Sequence, residues 1–268
     1  LKAGETTTYT YDKAGRLTLM NSGDRRTTYR YDTRGRPISI ADSGTGLETS
    51  FLYDTLGRIV EQRNGNGTLT TVGYDKDGRV QSVQDRDGAG KIIGGFGWLY
   101  SDEGRRTHKL AADGSVTVYE YTEGGQLSRL YNPVTAFAKT RPGAREQRYS
   151  FSGAEQKRIS ELAMIVNPTH RGMNPAAQNM IVENFDYDVN GNRVLWTAGT
   201  QSIAYEYDAE DRIVRAGESS YEHDADGNLI GENSLRIQAT YRYTDGNRMS
   251  YADIRNTAEN SHTVTEYA

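Results

Sequence analysis

The chain has 268 residues, a formal net charge of −4 and no cysteine, and 35% of its residues are hydrophobic. The lack of cysteine excludes disulfides, thiol catalysis and cysteine-based metal sites. The sequence has no basic block for binding nucleic acid and no apolar run near the ~20 residues that span a bilayer. The 29 glycines and 19 tyrosines instead favour many short strands joined by tight turns.

A repeated pattern starts near the N-terminus: aromatic-x-Tyr-Asp-x-x-Gly-Arg-aliphatic. It first reads YTYDKAGRL at residues 9–17 and returns about every 20 residues, with looser copies up to residue 127. Most of the 19 tyrosines occupy its two aromatic positions. The residues predicted to define the repeat are Tyr11, Asp12, Gly15, Arg16, Tyr31, Asp32, Gly35, Arg36, Tyr53, Asp54, Gly57, Arg58, Tyr74, Asp75, Gly78, Arg79, Tyr187, Asp188, Gly191, Tyr207 and Asp208.

Each copy of the pattern predicts a β-hairpin. Aromatic residues at i and i+2 share one face of a strand. Asp in the first position and Gly in the fourth suit a type I turn, in which the carboxylate accepts backbone N–H groups and Gly tolerates positive φ. Because a lone hairpin is marginally stable, the hairpins must pair edge to edge. We therefore predict an all-β fold in which tandem hairpins form a long, curved antiparallel sheet, the wall of a spiral or shell.

The pattern lapses between residues 132 and 184. Ser152 and Glu155 have the spacing of a capping box, and an apolar face at i, i+3, i+4 and i+7 follows from Ile159 to Val166. This predicts a helix over 153–166. A short second helix opening at Pro175 and a hairpin around residues 149–151 are further possibilities. The segment is either a surface insertion between hairpins or a plug that gives specificity.

The pattern resumes at residue 185, with the sequence FDYDVNGN. The resulting organisation is a sheet of these repeats over 1–131, an insertion over 132–184, a continuation of the sheet over 185–251, and a tail or the start of a further repeat over 252–268. Because the sequence opens at Leu1 with no signal-like segment, we expect an internal piece of a longer polypeptide.

No residue is predicted to be catalytic or to bind a cofactor or a metal. Asp186, Asp188, Asn190 and Gly191 match the start of a calcium loop, but Thr197 stands where a bidentate Glu is needed. The carboxylates recur once per hairpin, whereas a catalytic pair should be singular. The repeat itself therefore explains these residues.

Two sets of side chains have alternative interpretations. The arginine after each turn is expected to point outward, either as a solvated charge or in ladders that pair with the turn Asp residues of neighbouring hairpins. The aligned tyrosines either pack between strands or form a face on which sugars stack. The arginines concerned are Arg16, Arg36, Arg58, Arg79, Arg105 and Arg212.

These copies resemble the YD-repeat motif of the Rhs/YD-repeat family, which includes Rhs toxins, the C components of Tc toxin complexes and teneurins. The resemblance covers most of the chain outside 132–184 and 252–268. It implies a β-sheet that spirals into a hollow shell. In bacterial members the shell encloses a C-terminal toxin, which is released after self-cleavage at a D-P-x-G-L segment. This sequence has no such segment, so the resemblance assigns it no cleavage residue.

The resemblance implies a non-enzymatic scaffold, part of a shell that encapsulates a C-terminal toxin or passenger polypeptide for secretion or delivery. The expected partners are the flanking repeats and the passenger, with no nucleic acid, no membrane span and no cofactor. The expected location is outside a bacterial cell or on its surface. The alternative is an extracellular adhesion module that recognises glycans or a partner protein. A hydrolase or lyase built on the sheet is weaker still, because no singular site is present.

Overall fold

A computed structural model describes residues 6–134, 146–168 and 177–267 of the chain. These residues form 22 β-strands and the helix α1 (Gly153–Val166). In the described residues of both units, neighbouring strands pair antiparallel. The prediction of an all-β fold built from tandem hairpins is confirmed. The chain divides into two units, Leu1–Thr117 with Ser150–Ala177 and Val118–Tyr149 with Gln178–Ala268.

The first unit is a meander in which each strand pairs with the next one along the chain, from β1 to β10. Its strands are β1 (Thr7–Tyr11), β2 (Leu17–Ser22), β3 (Arg25–Tyr31), β4 (Pro37–Asp42), β5 (Leu47–Tyr53), β6 (Ile59–Arg63), β7 (Leu69–Tyr74), β8 (Val80–Arg86), β9 (Ile92–Tyr100) and β10 (Arg106–Ala111). A further strand, β11 (Val116–Tyr121), starts in this unit and continues in the second.

The second unit repeats the same meander, with β12 paired to β14 and then each strand to its successor. Its strands after β11 are β12 (Leu127–Pro133), β13 (Glu146–Ser150), β14 (Ala177–Tyr187), β15 (Arg193–Ala198), β16 (Gln201–Tyr207), β17 (Ile213–Ala216), β18 (Ser219–His223), β19 (Leu229–Asn233), β20 (Ile237–Tyr243), β21 (Met249–Asn256) and β22 (Ser261–Glu266).

The segment between the two runs of repeats contains β13, α1 and the first part of β14. The predicted second helix at Pro175 lies outside the described residues. Past residue 251, β21 continues to Asn256 and pairs with β22. The division into 1–131, 132–184, 185–251 and 252–268 stays a prediction.

Helix α1 begins with the capping box that the sequence contains. The Ser152 hydroxyl accepts the backbone N–H of Glu155, and the Glu155 carboxylate accepts the backbone N–H of Ser152. Its apolar face, from Ile159 to Val166, is buried against β8, β9 and β10. Elsewhere in the described sheet most side chains are half-buried or exposed, so α1 gives the first unit a core covered on two sides.

The helix sits where the sheet presents glycine instead of a side chain. A Cβ atom built on Gly97 would lie 2.6 Å from Val166 Cγ2 and 2.7 Å from Leu162 Cγ. At the helix C-terminus, the Gln84 side-chain amide donates to the Val166 carbonyl at 2.8 Å, which satisfies an acceptor that has no partner within the helix. The helix is therefore held at this site, its seat on the sheet, by the close approach of its side chains to the Gly97 backbone and by the hydrogen bond from Gln84.

Filling this seat should displace the helix. We expect Gly97→Val to lower the free energy of unfolding by about 1–3 kcal/mol, because added core volume forces neighbours to shift. Gly94→Ala is the matched control, since its new Cβ would meet Asp85 Oδ2 at an ordinary 3.5 Å. Denaturant unfolding of both variants checks this. An unfolding midpoint for Gly97→Val no lower than that for Gly94→Ala would contradict the assigned seat.

Candidate functional site

The Asp-x-x-Gly-Arg turns share one hydrogen-bond geometry, shown here for Asp54 to Arg58. The Asp54 N–H donates to the Arg58 carbonyl at 2.9 Å, and the Gly57 N–H donates to the Asp54 carbonyl at 3.0 Å. Gly57 has φ 86°, the left-handed conformation that glycine adopts without strain. The pairing register of the strands shifts between Leu52 and Tyr53, just before the turn. The turn is therefore a defined bulged hairpin loop.

The turn aspartate holds its own arginine. Oδ1 of Asp54 accepts the backbone N–H of Arg58 at 2.9 Å, and Oδ2 accepts Nε at 2.7 Å, with Nη2 also 2.7 Å away. The pKa of Asp54 lies below its usual value, chiefly because the Arg58 backbone N–H donates to the carboxylate, and the guanidinium adds to this. The same geometry recurs at Asp12, Asp32, Asp75 and Asp208.

The arginine held in this way reaches the next hairpin. The Arg58 guanidinium carbon lies 4.0 Å from the ring centroid of Tyr74, within cation–π range. The Tyr74 hydroxyl donates to the carbonyl of Ile59, the residue after that arginine, at 2.8 Å. One hairpin therefore contacts both the ring and the hydroxyl of the next tyrosine. The other junctions of this kind are Arg16 and Leu17 with Tyr31, Arg36 and Pro37 with Tyr53, and Arg79 and Val80 with Tyr100.

The geometry corrects the expectation that these arginines point outward. The side chain of Arg58 is only 30% exposed, and its carboxylate partner belongs to its own turn, not to a neighbouring hairpin. The contact between hairpins is made to tyrosine. At these junctions a guanidinium covers one face of each ring at the second aromatic position. This favours packing between hairpins over a face on which sugars stack. Tyr11 differs, being 57% exposed.

The junctions in the second unit vary the same theme. Arg193 covers the ring of Tyr205 at 4.4 Å, and its carbonyl accepts the Tyr207 hydroxyl at 3.0 Å. At the turn once compared with a calcium loop, Asp188 Oδ1 accepts the backbone N–H groups of Asn190 and Asn192. That carboxylate thus has a role within the turn.

Polar groups beside α1 form a further cluster in the first unit. His108 is 5% exposed, and its Nε2 lies 3.3 Å from Oε1 of Glu155. Burial lowers the pKa of His108, against the raising effect of Glu155. Within the described ranges, no group of three or more His, Cys, Asp or Glu residues is arranged to hold a metal ion. None of the helices described there is long and apolar enough to cross a membrane.

The sequence placed Tyr, Asp, Gly and Arg in one repeat but did not show which of them meet across hairpins. The structure joins the Arg of one copy to the Tyr of the next. It also adds a group that sequence patterns do not show, the backbone carbonyl after each arginine. The recurring aliphatic residue at that position was the available signal, although its carbonyl is what binds.

These observations define a tandem β-hairpin repeat protein whose neighbouring hairpins are linked through arginine and tyrosine. Residues 2–136 and 171–249 match the model of the teneurin YD-shell family. The chain belongs to this family, and the resemblance noted from the sequence is confirmed.

Two relatives show how the chain compares with whole proteins. Double-stranded DNA deaminase toxin A of Burkholderia cenocepacia (strain H111) is 23% identical over 255 residues, which are 89% of this chain and 16% of that protein. Teneurin-1 of Caenorhabditis elegans is 30% identical over 88 residues, which are 33% of this chain and 3% of that protein. The chain thus spans a small part of either relative.

Solved structures share the fold. The crystal structure of TcdB2-TccC3-TEV matches 98% of this chain and 14% of its own chain, with a TM-score of 0.63 and 15% identity. A mutant Tc holotoxin pore from Photorhabdus luminescens matches the same shares, with a TM-score of 0.63 and 13% identity. At these identities the likeness concerns the fold alone.

Removing one junction hydroxyl should weaken the sheet measurably. We expect Tyr74→Phe to lower the free energy of unfolding by about 0.5–1.5 kcal/mol, because the Ile59 carbonyl loses its donor while the ring stays under Arg58. Tyr9→Phe serves as the control, since the Tyr9 side chain is 53% exposed. Thermal unfolding of the two variants gives the comparison. Equal midpoints would show that the hydroxyl does not contribute.

Proposed function

We propose that the chain is a stretch of wall in a closed shell that encloses a passenger polypeptide of the same protein. The observation that carries the proposal is the junction that recurs in the first unit, in which the arginine of one hairpin contacts the tyrosine of the next one. A contact that repeats between neighbouring hairpins lets a wall grow by adding hairpins, because the stability of a repeat protein depends on contacts between nearest neighbours. The residues proposed to define that wall are the Tyr, Asp, Gly and Arg of each repeat.

The relatives support a toxic passenger. The Burkholderia cenocepacia protein is a DNA deaminase toxin, and the chain aligns with only 16% of it. A region outside the aligned part can therefore hold that activity. The Tc structures that share the fold belong to a toxin complex. We infer that this chain has the wall role and that a passenger, placed elsewhere in the parent protein, has the toxic one.

The wall itself is proposed to be non-enzymatic. Its carboxylates recur in turn after turn, with the same partners and with a pKa lowered in the same direction. Catalytic pairs need two groups whose environments push their pKa values apart. Because such a shell would protect its producer and deliver its contents elsewhere, we place the parent protein outside the cell or on its surface.

Adhesion through a tyrosine face is the less favoured function. A sugar ring stacks on an open aromatic face, whereas the rings of Tyr31, Tyr53, Tyr74 and Tyr100 each have an arginine on one side. Glycan binding would have to use other surfaces of the sheet.

Protease protection in the intact parent protein tests containment. We expect the segment downstream of the wall to be digested at least about tenfold more slowly in the parent protein than as an isolated polypeptide, because a closed wall excludes the protease. Mass spectrometry of timed digests identifies the protected segment. Equal digestion rates would contradict containment.

Two variants of one turn link the protection to the wall. Gly57→Val places a β-branched residue at φ 86° and brings its Cβ within 3.4 Å of Arg36 Nη1, so it should open the sheet and shorten the protection. Leu56→Ser changes the adjacent residue, which is 76% exposed, and should leave protection unchanged. If both variants lost protection to the same extent, the protection would not depend on this turn, and the proposed link to the wall would be wrong.

A further inference from the structure

The residue that follows each turn lies against the left-handed residue of the next turn. Nη1 of Arg58 is 3.3 Å from the position that a Cβ on Gly78 would take. The guanidinium passes beside that position on its way to the tyrosine ring. In each of these junctions the left-handed residue is glycine: Arg16 with Gly35, Arg36 with Gly57, Arg58 with Gly78, Arg79 with Gly104, and Arg212 with Gly227. Gln126 lies against Gly191 in the same way.

Two junctions differ both at the residue after the turn and at the left-handed residue of the next turn. Asn192 stands at the arginine position, and the facing residue is Asp211, with φ 60°. Its Oδ1 accepts the Asn192 side-chain amide at 2.6 Å. Asn228 also stands at the arginine position, and it faces Asn247, with φ 54°. The Asn228 amide donates to Asn247 Oδ1 at 3.0 Å.

Side-chain length explains why the two positions change together. Arginine is long enough to cross the next turn, and its side chain lies in contact distance, 3.3–3.9 Å, of the position that a Cβ would take there. Asparagine is too short to reach the next tyrosine, and a side chain from the facing turn fills the gap and pairs with it. Asn and Asp tolerate left-handed backbone better than other residues, which explains their presence but not their position opposite asparagine.

We propose that these two positions form a complementary pair that decides which hairpin packs next to which. A hairpin with Arg or Gln after its turn selects a neighbour with Gly, and a hairpin with Asn selects a neighbour with Asp or Asn. The pair acts as a specificity determinant within the wall, and it fixes the order and register of otherwise similar hairpins. It depends on hairpin packing alone, so it stands or falls separately from containment.

A double-mutant cycle at the Asn228 and Asn247 junction tests the proposal. Asn228→Arg and Asn247→Gly are made separately and together in the 268-residue chain, and thermal unfolding is followed for each. The double variant recreates the arginine–glycine pair, and Tyr243 stands at the second aromatic position of the following hairpin. We expect the double variant's midpoint to lie about 2 °C or more above the value obtained by adding the two single-variant shifts to the wild-type midpoint. Sites in contact couple in such cycles.

The control cycle combines Asn192→Arg with Asn247→Gly, two positions that do not face each other, and its shifts should add. The reverse exchange, Arg58→Asn with Gly78→Asn, gives an independent cycle in the first unit should a single variant in the second unit fail to fold. Additive shifts at the facing positions would overturn the proposal. So would equal coupling in the control cycle.

Discussion

The structure depends on the contact between the arginine of one hairpin and the tyrosine of the next. A two-stranded hairpin is marginal in water, and a sheet with mostly half-buried residues has little core to stabilise it. The turn carboxylate orients the guanidinium, the guanidinium covers the ring, and the ring hydroxyl binds the carbonyl beyond the arginine. At these junctions the turn both ends its own hairpin and contacts the following one, so stability builds up between neighbouring hairpins.

Helix α1 differs from the rest of the first unit because it buries apolar side chains on both sides of the sheet–helix contact. Ile159 and Val166 are fully buried where the sheet beneath offers glycine at residue 97. The helix therefore supplies the two-sided core that hairpin junctions lack, on strands of the first unit. Its cap, its carbonyl clamp from Gln84 and its neighbour His108 all place polar groups at the rim of this core.

Local chemistry made much of the fold predictable. Asp and Gly in a four-residue turn define the hairpin, and Ser152 with Glu155 marks where α1 starts. The direction of Arg58 was not predictable, because its partner Tyr74 lies in another hairpin and the sequence alone does not give the register between them. The roles of Asp211 and Asn247, which replace the glycine of the repeat, were not predictable for the same reason. Each makes sense only beside the asparagine that it faces.

Hydrogen exchange of an Arg58→Met variant tests the central claim most directly. Methionine keeps most of the side-chain length and removes the guanidinium. If the junction holds the following hairpin, amides of β7 and β8 should exchange faster than in the wild type, while those of β20 and β21 stay unchanged. Arg30→Met, at an exposed position of β3, should alter neither set. Faster exchange confined to residues 54–58 would contradict the account, because it would show that the arginine stabilises only its own turn.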